Sequence, residues 1–155
     1  MTSYVVDASV AAKWFLPAAG EPHTDQALQL LRDYTAASLG LIVPDLFWPE
    51  FGNILWKASR RRGRMSLRSA ETAIAEMGKL TIPTFSSMPL LSEAFAIAAA
   101  FDRTVYDAVY VALAVSTGAP LLTRTNDWPM RLPLVSRSAG SDLTRVGNDS
   151  RTSGG

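Results

Sequence analysis

Apolar residues recur along this chain in two rhythms that alternate from one end to the other. Short runs closed by a breaker read as strands: Tyr4-Val5-Val6 before Asp7, Leu41-Ile42-Val43 before Pro44, and Pro120-Leu121-Leu122-Thr123. Between them, apolar positions fall three and four residues apart, the spacing of one helix face. Val10, Trp14 and Phe15 predict a helix after the first strand, and Ala27, Leu30, Leu31 and Tyr34 a second over residues 25 to 37, broken by Gly40. Trp48, Phe51, Leu55 and Ala58 predict a third over 48 to 61, with Pro49 in the first turn, where a missing N–H costs nothing, and Gly63 at the end. Ser66 caps a helix reaching residue 80, and Thr81-Ile82-Pro83-Thr84 suits an edge strand, where proline is tolerated. Residues 89 to 101 are helical and alanine-rich, Thr104 caps a helix over 105 to 116 that Gly118 ends, and Leu134-Val135 suits a last short strand. Strands alternating with helices predict an α/β domain, a central and mostly parallel β-sheet flanked by helices.

Such sheets bind ligands beyond the carboxyl ends of their strands, near a switch in strand order. Three acids fall at that edge. Asp7 directly follows the first strand, Glu50 stands near the start of the helix after the second, and Asp107 lies in a first helical turn, each inside an apolar stretch. Burying an ionised carboxylate costs several kcal/mol unless a cation or hydrogen bonds compensate it. Three acids so placed predict an acidic cleft in which they converge on one shared cation. With oxygen ligands and no cysteine, that cation is magnesium or manganese rather than zinc. The plain alternatives are that Asp7 caps the helix behind it and that Asp107 complements a helix dipole.

Composition narrows the class. A chain of 155 residues that is 48% hydrophobic is long enough for one packed domain, expected over residues 1–137. Residues 138–155 carry little apolar material, end in Ser153-Gly154-Gly155 and read as a flexible C-terminal tail. The single histidine, His23, sits in a polar stretch and reads as a surface residue that builds no zinc site by itself. No apolar run approaches the ~20 residues of a membrane span, and the N-terminus enters a strand without a basic region, so a soluble cytoplasmic protein is expected. Net charge is +1, but residues 51 to 70 hold no acid while Lys57, Arg60, Arg61, Arg62, Arg64 and Arg68 cluster there. Such a run either tracks phosphates or is a solvated helix end. Trp14, Phe15, Phe47, Trp48 and Trp56, close to two of the acids, are expected in the core.

Taken as blocks, these stretches resemble a known family. Tyr4-Val5-Val6-Asp7-Ala8-Ser9-Val10, Trp48-Pro49-Glu50-Phe51-Gly52-Asn53-Ile54-Leu55, Tyr106-Asp107-Ala108-Val109-Tyr110-Val111-Ala112-Leu113-Ala114 and Pro120-Leu121-Leu122-Thr123 look like the successive blocks of a PIN domain. The nearest subgroup in pattern is the VapC-type ribonuclease toxin of toxin–antitoxin pairs, and the resemblance spans roughly residues 4 to 135. It implies a hydrolase that cuts RNA phosphodiesters with Mg2+ or Mn2+. The metal-holding and catalytic acids would be Asp7, Glu50 and Asp107, with Ser9 and Thr123 supporting the first and Lys57, Arg60, Arg61, Arg62 and Arg64 binding RNA. Partners implied are an RNA substrate, a cognate antitoxin and a second copy of the chain in a homodimer, with no membrane. Thr125 departs from the pattern, standing where many members carry a fourth acid. Asp127 is the candidate replacement as a catalytic acid, and Asn126 offers a neutral oxygen instead. The runner-up reading is a PIN-like domain that binds RNA or protein without cutting. A haloacid-dehalogenase-like phosphatase would want a second aspartate where Ser9 stands, and a dinucleotide fold a glycine-rich turn where Ala8-Ser9-Val10-Ala11 stands.

Overall fold

The computed structural model describes residues 1–61 and 64–124. Along these residues the order is β1 (Ser3–Val6), α1 (Ala8–Ala12), α2 (Thr24–Thr35), β2 (Gly40–Pro44), α3 (Phe47–Arg60), α4 (Leu67–Gly78), β3 (Thr84–Phe85), a 3-10 turn (Met88–Leu90), α5 (Leu91–Phe101), α6 (Val105–Thr117) and β4 (Leu121–Leu122). The strands form one sheet in the order β3-β2-β1-β4, and every neighbouring pair is parallel. Leu134-Val135, the tail over 138–155 and Gly63 lie outside the described residues.

Val5 and Val6 are both 0% exposed. Successive strand residues point to opposite faces, so β1 is covered on both sides, as an all-parallel sheet requires. β1 is also an inner strand, with β2 on one side and β4 on the other, so its backbone is paired along both edges. α6 packs on β1 and β2 with α5 against it, while α1 packs on α3 and α3 on α4. Lying between sheet and helix, α6 has six consecutive buried residues, Ala108, Val109, Tyr110, Val111, Ala112 and Leu113. That is why its apolar pattern is unbroken rather than striped.

Three local expectations are corrected. Gly40 opens β2 instead of merely ending the helix before it; it pairs with Ser3, and a Cβ there would stand 2.5 Å from the Ser3 hydroxyl oxygen. α1 stops at Ala12, and Trp14 and Phe15 follow in tighter turns whose N–H groups donate to the carbonyls of Ala11 and Ala12. The edge strand expected over 81–84 forms instead at Thr84 and Phe85, beyond the proline that cannot donate to a ladder.

The aromatic residues mostly pack as expected. Phe47 stacks on Phe51 at 6.1 Å between ring centroids, and Phe15 meets Phe51 edge-on at 5.8 Å, joining the end of α1 to α3. Trp14 is buried and donates its indole N–H to the Ala27 carbonyl, 2.8 Å. Trp56 is the exception, 57% exposed on the outer side of α3. His23 is exposed, with φ 61° and no side-chain cap bond, a surface residue as expected.

Candidate active site

Asp7 is placed by the sheet itself. Val6 pairs with Leu122, and the Asp7 N–H donates to the Leu122 carbonyl at 3.0 Å, so the residues after β1 and β4 leave the sheet side by side. The Thr123 hydroxyl donates to Asp7 Oδ2 at 2.9 Å. On the other oxygen, Oδ1 accepts the Ser9 N–H at 2.9 Å, which makes Asp7 the N-cap of α1. The support from Ser9 therefore comes from its backbone N–H and not from its hydroxyl, because the cap geometry aims that N–H back at residue 7. The capping role and a place at the carboxyl edge coincide in one side chain. β1 is also where strand order switches, with β2 on one flank and β4 on the other, the usual crevice of such sheets.

Glu50 lies in the first turn of α3, half-buried, and its Oε2 accepts the Tyr110 hydroxyl at 2.5 Å. Burial pushes its carboxyl above the ordinary glutamate range, and the bond from Tyr110 opposes that. The negative charges of Asp7 and Asp107 push it up further, which puts all three acids in one electrostatic neighbourhood. Asp107 is exposed in the first turn of α6, where its N–H donates to the Thr104 cap hydroxyl at 3.1 Å.

The three carboxylates share a field without forming a finished ligand shell. Among the described residues no group of three acidic or histidine side chains could already hold an ion. The donor set nonetheless fits a hard divalent ion. It is all oxygen, and magnesium keeps several waters while taking one or two protein carboxylates. The ion pairs among the described residues, Arg64–Glu21 and Lys79–Glu76, involve other acids.

Other predicted residues scatter. Lys57, Arg60 and Arg61 are exposed at the end of α3. Arg64 is not a free phosphate contact, since it is half-buried and bonded to Glu21, whose side chain is 9% exposed. Arg62, Thr125, Asn126 and Asp127 lie outside the described residues. Two residues went unsingled in the sequence. Tyr110 stands three positions after Asp107 on the same helix, a spacing that places it on the same face. Lys13 is 3% exposed and donates to the Pro22 carbonyl, and its signal was a lone cation inside Ala11-Ala12-Lys13-Trp14-Phe15.

A four-stranded parallel sheet flanked by helices, with Asp7 at the carboxyl end of β1, is the architecture of a PIN domain. The chain belongs to that family, whose model, PIN domain, matches residues 4–130. It is similar to Ribonuclease VapC3 of Pyrobaculum aerophilum, 32% identical over 133 residues that cover 84% of this chain and 95% of the relative. The crystal structure of PAE2754 from Pyrobaculum aerophilum superposes with a TM-score of 0.58 at 29% identity, over 81% of this chain and 76% of that one. Two more distant structures share the fold. Mycobacterium tuberculosis VapC20, a Sarcin-Ricin loop cleaving toxin, has a TM-score of 0.59 at 20% identity, over 80% of this chain and 91% of that one. A toxin–antitoxin complex from Klebsiella pneumoniae has a TM-score of 0.54 at 17% identity, over 82% of this chain and 93% of that one. Among the described residues no helix is long and apolar enough to cross a membrane.

Proposed function

We propose that this chain is a divalent-metal-dependent endoribonuclease, the toxin of a VapBC-type pair, acting in the cytoplasm and held inactive by a cognate antitoxin. The observation that carries the proposal is Asp7 at the carboxyl end of β1, held there by the Ser9 N–H and by the Thr123 hydroxyl from beyond β4. The relationship to Ribonuclease VapC3 supports RNA as the substrate.

Each residue has a distinct task. Asp7 is oriented by the Ser9 N–H and the Thr123 hydroxyl, so its remaining lone pairs point in a fixed direction. Glu50 is oriented by Tyr110 from below the surface. Asp107, exposed at the start of α6, faces the solvent from which a phosphodiester arrives. A bound Mg2+ or Mn2+ would supply a water of lowered pKa and a polarised phosphoryl oxygen. Lys57, Arg60 and Arg61 would hold the RNA backbone, while Asp127 remains the proposed fourth acid in place of Thr125.

The test is cleavage of total cellular RNA with added Mg2+ or Mn2+, with chelator and the Asp7→Asn and Asp107→Asn variants as controls. Wild type should cut and every control should not, with the variants' circular dichroism unchanged. Cutting by Asp7→Asn or by chelated wild type would exclude metal-dependent catalysis at these acids. RNA binding without cleavage in every metal would favour the non-cutting reading that Thr125 motivates.

A further inference from the structure

We infer that Tyr110 is a positioning residue that fixes the Glu50 carboxylate for cation binding, an inference resting on the reading of the three acids given above. Tyr110 is 4% exposed, and a buried tyrosine needs a partner for its hydroxyl. Its partner is one of the three acids, at 2.5 Å, across sixty positions of sequence and from α6 to α3. The bond engages only Oε2. Among the described residues Oε1 accepts no hydrogen bond, and no side-chain oxygen without a partner is buried, so one oxygen is tied down while the other stays accessible.

The chemistry of the donor matters. A lysine or arginine in this place would neutralise the carboxylate and compete with a metal for it. A phenol orients the group while leaving its negative charge for the cation. An ordinary phenol is protonated at neutral pH and so serves as the donor. Asp7 is handled in the same way, by a neutral hydroxyl and an N–H. Helix α6 therefore delivers an acid, Asp107, and one turn later the handle for another.

The experiment is a Mn2+ binding isotherm on the full chain, read from the electron paramagnetic resonance of free Mn2+. Tyr110→Phe keeps the ring and removes the hydroxyl, and it should weaken binding by ~10-fold or more, the usual effect of losing a group that orients a ligand. Glu50→Ala should also weaken it, and adding Tyr110→Phe to Glu50→Ala should cost nothing further. A residue that only supports the core would instead give losses that multiply. Multiplied losses, or wild-type affinity in Tyr110→Phe, would overturn the positioning role while leaving the metal site standing. Absence of Mn2+ binding in wild type would overturn both. If Tyr110→Phe does not fold, 3-fluorotyrosine at position 110 gives the second measurement. Its 19F resonance should move on Mg2+ titration and stay fixed in Glu50→Ala, and a resonance that stays fixed as Mg2+ saturates wild type would contradict the role.

Discussion

Asp7 satisfies two readings of its position at once. It caps α1 through the Ser9 N–H and stands at the sheet edge through Thr123, so the ordinary role of an aspartate after a strand does not compete with the proposed one. Thr123→Val keeps the shape and removes the hydroxyl. Hydrogen bonds to charged groups are worth about 1.5–3 kcal/mol, so chemical denaturation should show a loss of that order. Glu50 gives a prediction in pH. Its folded-state pKa is raised, chiefly by burial, so between the unfolded and folded values the native state binds more protons than the unfolded chain. Stability of the chelator-treated protein should therefore fall as pH rises from the ordinary glutamate range through the Glu50 value, and this component should be flat above it. Urea midpoints against pH for wild type and Glu50→Gln isolate the effect, since Gln removes that slope. Parallel curves would contradict it.

At the scale of elements, what could be read in advance was what local chemistry dictates. Ser66 and Thr104 cap α4 and α6 with their hydroxyls, and Gly118 ends α6 at φ 68°. Gly40 could not be read that way, because its reason is a neighbour in space, the Ser3 side chain of the adjacent strand. The same distinction divides the basic run. Along the sequence Arg64 looks like its neighbours, yet it is tied to Glu21, which sequence places 43 residues away. Neutralising Lys57, Arg60 and Arg61 should weaken RNA binding and lower its salt slope by ~0.7 per lost contact to a single strand. Arg64→Ala should act differently, costing on the order of 1–3 kcal/mol of stability by leaving the mostly buried Glu21 unpaired. Filter binding at several salt concentrations, beside thermal melts, separates the two. Equal salt slopes for Arg64→Ala and the triple variant, with no loss of melting temperature, would contradict the division.

At the scale of the molecule, alternating strands and helices were enough for the α/β class, and four short blocks in order were enough for the family. Asp7 was legible at the carboxyl edge because it directly follows a parallel strand, and parallel strands carry their ends to one edge. The mutual spacing of the three acids was not legible, since it depends on how α3 and α6 seat against the sheet. The buried tyrosine that links those helices was hidden for the same reason, its partner lying sixty positions away. The central claim is that Asp7, Glu50 and Asp107 together form the seat of one divalent cation. Anomalous X-ray diffraction from crystals soaked in Mn2+ tests it most directly. The account predicts an anomalous peak bounded by these three carboxylates, reached directly or through water, and lost in Asp7→Asn crystals. A Mn2+ peak seated elsewhere, in protein that still cuts RNA with Mn2+, would contradict it.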